Sequence, residues 1–141
     1  MIGDGAGNIG WGDVATVGLK SRKTAQVTQS IASNAAANVS ISTAKGFALY
    51  SIETSHAAWV TLYTSTTART ADAGRLETTD PTPGSGVLSE VITTGAVTQL
   101  ITPGTICFNS SPTATTYAKV VNKSGSTANV TVTLTYVQIE N

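Results

Sequence analysis

Few side chains in this sequence are suited to catalysis, and His56 is the first to consider. It is the only histidine among 141 residues, so a Ser/His/Asp or Cys/His site would have to use it. The run Ser55-His56-Ala57 lies between two apolar stretches and predicts a short turn, where a polar side chain simply meets water. One histidine and one cysteine, Cys107, cannot form a structural zinc site by themselves. We therefore expect neither an enzyme nor a cofactor here.

The second group of reactive side chains lies in the long irregular segment 66–86. Loop carboxylates can bind calcium or a sugar, but the segment lacks EF-hand spacing, and no acid pair stands out for glycoside hydrolysis. In the alternative, an arginine pairs with a carboxylate through bidentate hydrogen bonds and holds the loop in place. Balanced charges favour this second interpretation, and long ordered loops are often interfacial. The predicted loop interface comprises Arg69, Asp72, Arg75 and Asp80.

The low charge of the chain limits the classes of partner. Charged residues make up 11% of the sequence, and eight Lys and Arg balance eight Asp and Glu. Nucleic-acid binding needs a basic surface, so we expect no nucleic acid partner. Isolated soluble domains usually carry more charge, which indicates a surface packed against neighbours. No apolar run approaches the ~18–20 residues of a membrane span, and we expect no signal peptide. A single cysteine fits folding in a reducing cytoplasm.

Residues 1–23 are rich in glycine and predict an extended N-terminal arm. The letters Gly5-Ala6-Gly7-Asn8-Ile9-Gly10 fit a dinucleotide fingerprint, but that motif needs a preceding strand and a following helix. We instead expect an arm that lies along another surface, pinned by Ile9 and Trp11. The basic residues at its end are either a solvated junction or a contact to an anionic partner. They are Lys20, Arg22 and Lys23.

The stretch Lys45–Ser65 predicts the centre of the fold. Aromatic and branched residues dominate two strands, Gly46–Thr54 and Ala58–Ser65, and such residues suit a pleated surface. Apolar side chains fall on both faces, which predicts central strands covered on both sides. Trp59, Tyr50 and Tyr63 could form a carbohydrate platform if exposed, although aromatic residues in strands are more often core.

The remaining pattern predicts an all-β domain over 24–141, with about nine strands in an antiparallel β-sandwich or jelly roll. Val87–Thr94 and Val97–Thr102 are expected to form one hairpin, and Thr116–Asn122 and Ala128–Ile139 another. Thr105–Asn109 is a short separate strand, and residues 67–73 could form a helical turn. The last strand alternates most clearly, with Val130, Val132, Leu134 and Tyr136 on one face.

Several short motifs occur in an order that resembles a known family. They include Ser55–Ser65, Ala68–Asp72, Asp80-Pro81, Gly84–Val87, Glu90–Gly95, Thr102–Gly104, Phe108-Asn109 and Val121–Gly125. Over residues 24–139 the chain resembles a small β-domain of tailed bacteriophages, notably those of marine cyanobacteria, which stands alone or ends longer fibre-like proteins. The arm lies outside the resemblance.

The resemblance implies a virion structural protein without enzymatic activity, assembled in the host cytoplasm. A capsid decoration or cement protein fits the small size, the arm and the low charge, and such proteins are often trimeric. The expected partners are then the major capsid protein and other copies in a homotrimer. A tail-fibre, baseplate or receptor-binding module is the alternative, in which exposed aromatics and the 66–86 loop would meet host glycan.

Overall fold

The computed structural model describes residues 20–141. Ile9, Trp11 and most of the predicted arm lie outside this range. The described part contains one short helix, α1, and eight strands. Their bounds are β1 Lys23–Ile31, β2 Ala36–Ser42, β3 Gly46–Thr54, β4 Ala58–Tyr63, α1 Thr66–Ala71, β5 Val87–Ile92, β6 Val97–Phe108, β7 Thr115–Asn122 and β8 Ala128–Glu140.

The strands form two four-stranded antiparallel sheets, which confirms the predicted all-β sandwich. Sheet A has the order β1-β8-β3-β6, and sheet B has the order β2-β7-β4-β5. The core lies between them, where apolar side chains from alternate positions of each strand meet. In β8, Val130, Val132 and Leu134 are buried as the alternation predicted, while Thr131 and Thr133 remain partly exposed.

Both predicted hairpins are wrong, because the strands involved lie in different sheets. β5 belongs to sheet B and β6 to sheet A, and β7 and β8 are divided in the same way. A short polar connection fits an arch between two sheets as well as a hairpin. In the β7–β8 arch, buried Asn122 donates Nδ2 to the carbonyls of Ile31 and Ser126 at 2.7 and 2.8 Å, and its Oδ1 accepts from the Ser124 amide at 2.8 Å.

A bulge explains the other differences in sheet A. The pairing of β3 with β6 jumps from Leu49↔Thr105 to Ser51↔Leu100. An inserted residue changes which positions face the core, so Leu49 and Ile52 both point inward, whereas Tyr50 is exposed. The prediction that the two central strands, Gly46–Thr54 and Ala58–Ser65, are covered on both sides is therefore wrong for the first of them, β3.

The same bulge affects the predicted strand count. The predicted strands Val97–Thr102 and Thr105–Asn109 are parts of one strand, β6, whose four residues 101–104 bulge away from the ladder. Residues 20–141 therefore contain eight strands.

The prediction that both faces of the strand are covered is confirmed for β4. All six of its residues are buried. Ala58, Val60 and Leu62 join the core between the sheets, whereas Trp59, Thr61 and Tyr63 alternate with them and face the opposite side. Residues 64–86 cover that side, and we call them the covering segment.

Candidate functional site

The covering segment is folded as a compact unit on the outer face of sheet B. Helix α1 begins after Ser65, whose side chain accepts a hydrogen bond from the Ala68 amide at 3.1 Å, as N-caps commonly do. The predicted helical turn is thus present. At the base of the segment, the Thr64 amide donates to the Gly86 carbonyl at 2.9 Å, which holds the two ends together.

Arg75 lies at the centre of this unit. Its Nε and Nη2 donate to the two carboxylate oxygens of Asp72 at 2.8 and 3.0 Å. Its Nη1 donates to the Thr79 carbonyl at 2.8 Å, and Nη2 also donates to Glu90 of β5. The side chain is only 8% exposed. The pairing of an arginine with a carboxylate, one of the two alternatives for this loop, is therefore formed by Arg75 and Asp72.

Polar side chains on the outer face of sheet B extend the hydrogen-bond network around Arg75. Trp59 Nε1 and Thr61 Oγ1 both donate to Glu90 Oε2, at 2.9 and 3.2 Å. Lys119 Nζ donates to the Asp72 carbonyl at 3.2 Å and lies 4.6 Å from the centre of the Trp59 ring. The covered face is thus held by charge-assisted hydrogen bonds and cation–π contacts.

Tyr63 ties β4 to the same carboxylate. Its hydroxyl donates to Asp72 Oδ2 at 2.7 Å. Burial, together with the hydrogen bond to Asp72, raises the pKa of Tyr63 far above its ordinary value. Burial also tends to raise the pKa of Asp72, but the hydrogen bonds from Arg75 and Tyr63 outweigh this effect and hold that pKa below its ordinary value.

Hydrogen bonding and burial also shift the pKa values of Arg75, Lys119 and Cys107. The hydrogen bond to Asp72 raises the pKa of Arg75, so its guanidinium stays charged. Burial lowers the pKa of Lys119. In sheet A, burial raises the pKa of the Cys107 thiol to about 12, and a thiol that stays protonated is a poor nucleophile.

The four predicted loop-interface residues therefore have different positions. Asp72 and Arg75 face inward and bond within the chain. Arg69 Nη1 donates to the carbonyls of Val39 and Ala118 at 3.0 and 3.3 Å, so it secures α1 to β2 and β7. Asp80 is exposed. Of the three aromatic residues considered as a carbohydrate platform, Trp59 and Tyr63 are buried and Tyr50 is 41% exposed.

His56 lies in the turn between β3 and β4, where the sequence placed it. Ser55 Oγ lies 2.9 Å from His56 Nδ1 and accepts a hydrogen bond from the Thr131 amide at 2.8 Å. These bonds hold the turn against β8. Between residues 20 and 141, no group of three or more His, Cys, Asp or Glu side chains is arranged to hold a metal ion.

A second surface, on the outer face of sheet A, is open. It is a groove of about 570 Å³ between β3 and β6, beside the bulge. Its apolar wall includes Leu100 and Ile106, which are 63% and 58% exposed, together with Tyr50. The Arg22 guanidinium lies 4.6 Å from the centre of the Tyr50 ring and also lines the groove.

The three basic residues at the end of the predicted arm differ in position. Lys20 is exposed, and Arg22 lines the groove. Lys23 is the first residue of β1, where it pairs with Tyr136, and its Nζ donates to Gln138 Oε1 at 3.4 Å. The predicted boundary between the arm and the β-domain, at residue 23, therefore falls on the first residue of β1.

Sequence reasoning missed two sets of residues. Glu90 and Lys119 belong to the covered network, and each is the only charged residue of its strand, which could have indicated a covered outer face. Leu100 and Ile106 belong to the groove. Their exposure depends on the bulge, for which Pro103-Gly104 was the available signal.

No protein-family model matches the chain, and no curated protein matches it. Among residues 20–141, no helix has the length and apolar character needed to cross a membrane.

Proposed function

We propose that this chain is a non-enzymatic structural protein of a bacteriophage virion, and that it decorates the capsid as a cement protein. The observation that carries the proposal is the apolar groove on sheet A, where large apolar side chains are exposed together. Such surfaces mark contacts with other proteins. A decoration protein has those contacts permanently, because the shell and neighbouring copies cover it.

We further propose that the sandwich is a jelly roll of eight strands. The pairing supports this, since β1 lies beside β8, β2 beside β7, β3 beside β6 and β4 beside β5. This order arises when one long antiparallel hairpin of four strand pairs is rolled into two sheets. Jelly rolls are common in viral capsid domains, and the resemblance to phage β-domains agrees with that assignment.

The proposed partners are the major capsid protein and neighbouring copies in a homotrimer. The proposed contact is the N-terminal arm, with Ile9 and Trp11 as apolar anchors and Lys20, Arg22 and Lys23 at its end. Lys20 and Arg22 support this, because they precede β1 and are both exposed. The proposed location is the virion, after assembly in the host cytoplasm.

Deletion of residues 1–19 tests this proposal, since it leaves β1 intact. We expect the truncated protein to lose binding to undecorated capsids while it stays folded, with a cooperative thermal unfolding transition. Leu76→Asp is the control, because Leu76 is 68% exposed on the covering segment and lies far from the arm in sequence. Truncated protein that decorates capsids at full occupancy would contradict the role of the arm.

A tail-fibre, baseplate or receptor-binding module is the second candidate. It is favoured by the ordered covering segment, which presents Leu76 to solvent. In that case the isolated protein should bind host cells at micromolar concentration, and Leu76→Asp should weaken the binding. Absence of cell binding by the full-length protein would count against this candidate and leave the capsid proposal intact.

A further inference from the structure

We propose that the groove on sheet A binds a segment of its own chain, residues 1–19, with the Trp11 side chain in the apolar part. The groove has a volume of about 570 Å³, which lies within the ~300–1,000 Å³ of typical ligand pockets. Leu100 and Ile106 form an apolar wall that is left to solvent by residues 20–141.

The first supporting observation is the point from which the segment starts. β1 is at one edge of sheet A, and β8 separates it from β3. Even so, the Arg22 guanidinium lies 4.6 Å from the centre of the Tyr50 ring on β3, so the side chain just before β1 extends across β8 to the groove. Residues 1–19 therefore join the domain close to the groove.

The second supporting observation is length. Trp11 precedes Lys20 by nine residues, which span at most about 30 Å in extended form. Along β3 the groove is lined by residues 48–51, which correspond to roughly 10–13 Å of strand. Trp11 can thus reach the whole groove, and a short tether gives an effective concentration on the order of millimolar.

The third supporting observation is chemical complementarity. Residues 1–19 include Ile9, Trp11 and Leu19, and their charged side chains are Asp4 and Asp13, with no Lys or Arg. Of the residues that line the groove, Arg22 is the one with a charged side chain. An apolar, acidic segment therefore meets an apolar groove that is lined by one cation.

This inference does not depend on the proposed function, because it concerns the isolated protein. In the free protein the groove holds the segment. A capsid that binds the same residues would compete with the groove for them, and the groove would then be free to contact the shell or a neighbouring copy.

Acrylamide quenching of tryptophan fluorescence in the full-length chain tests the inference. The chain has two tryptophans, and Trp59 is 6% exposed, so Trp11 reports on the groove. We expect neither tryptophan to be readily quenched in the wild type, and one of the two to become accessible in Ile106→Asp. Trp11→Phe should abolish that difference. Ile139→Asp is the matched control, because Ile139 and Ile106 are 57% and 58% exposed and Ile139 lies outside the groove.

Three outcomes would overturn the inference: an accessible Trp11 in the wild type, equal effects of Ile106→Asp and Ile139→Asp, or protection lost on dilution together with a fall in sedimentation mass. The last result would mean that a second copy covers the groove. Should Ile106→Asp fail to fold, Leu100→Asp replaces it, since Leu100 is 63% exposed. Capsid binding, measured separately with the 1–19 deletion, reports on the proposed function alone.

Discussion

Arg75 connects three parts of the covered face of sheet B: the end of α1, the loop that follows it and strand β5. Its guanidinium bonds to Asp72, the Thr79 carbonyl and Glu90 and is almost entirely buried. Removing one partner of a buried charge pair leaves the other charge without compensation. The cost is larger than at an exposed pair, where water replaces the lost partner.

Replacement of Arg75 by methionine should therefore destabilise the protein. We expect Arg75→Met to lower the free energy of unfolding by about 3–5 kcal/mol, measured by urea denaturation. Lys123→Met is the control, because Lys123 pairs with Glu77 at 3.0 Å with both side chains about one third exposed, and its loss should cost less than about 1 kcal/mol. Equal losses for the two variants would show that Arg75 does not hold the segment.

Asp72 should make stability depend on pH in the acid range. Its pKa lies below the ordinary value in the folded state, so protonation favours the unfolded chain. Its contribution is complete above about pH 4 and is lost as the pH falls through the folded pKa. The difference in unfolding free energy between wild type and Asp72→Asn should thus shrink on acidification. Asp80→Asn removes an exposed carboxylate and controls for net charge; a difference that stays constant down to about pH 2 would contradict this account.

At the residue scale, the sequence predicted local contacts and missed distant ones. The pairing of an arginine with a carboxylate was foreseeable within one loop, because Asp72 and Arg75 are three positions apart. Glu90 and Lys119 could not be assigned to the same network, since only the order of β7, β4 and β5 in sheet B brings them together.

At the scale of elements, Gly86 sets how the covering segment returns to β5. Its φ is +94°, and a Cβ there would lie 2.6 Å from Ala68 Cβ and 2.9 Å from Thr64 Oγ1. Both the backbone conformation and the close contact with α1 therefore require glycine. Gly84 has a φ of +82°, but a Cβ added there would meet no atom within 4 Å, and Gly74 has open space without a positive φ.

Alanine variants of these three glycines separate the cost of the left-handed conformation from the cost of the close contact with α1. Gly84→Ala should cost about 1 kcal/mol for the left-handed conformation. Gly86→Ala should cost roughly 2–4 kcal/mol, because overpacking against α1 adds to that strain. Gly74→Ala should change stability by less than about 1 kcal/mol. Unfolding free energies of the three variants provide the measurement, and similar values for Gly84→Ala and Gly86→Ala would contradict the close packing of α1 on Gly86.

The existence of the strands was largely predictable, whereas their partners were not. β8 was recognisable because one of its faces is buried along its length, which gives strict alternation. The hairpin predictions failed because strand pairing here depends on which sheet each strand joins, and a short turn such as Lys123–Ser126 does not encode that choice. The bulge at Tyr50 likewise depends on the partner strand, β6.

At the scale of the whole molecule, the two sheets differ in how their outer faces are covered. The outer face of sheet B carries the covering segment, held by Arg69 and Arg75. The outer face of sheet A keeps an apolar groove between β3 and β6, which Arg22 also lines. The low charge of the sequence already indicated a surface that packs against neighbours, but only the fold locates an apolar surface suited to that role.

The number of copies per virion tests the capsid proposal most directly. A decoration protein should be present on the order of hundreds of copies per particle, because a closed symmetric shell repeats each interface many times. Quantitative mass spectrometry of purified virions, with the major capsid protein as the internal reference, provides the number. A ratio to the major capsid protein near that of a repeated surface subunit is the expected result. A handful of copies per particle, or absence from the virion, would contradict the proposal.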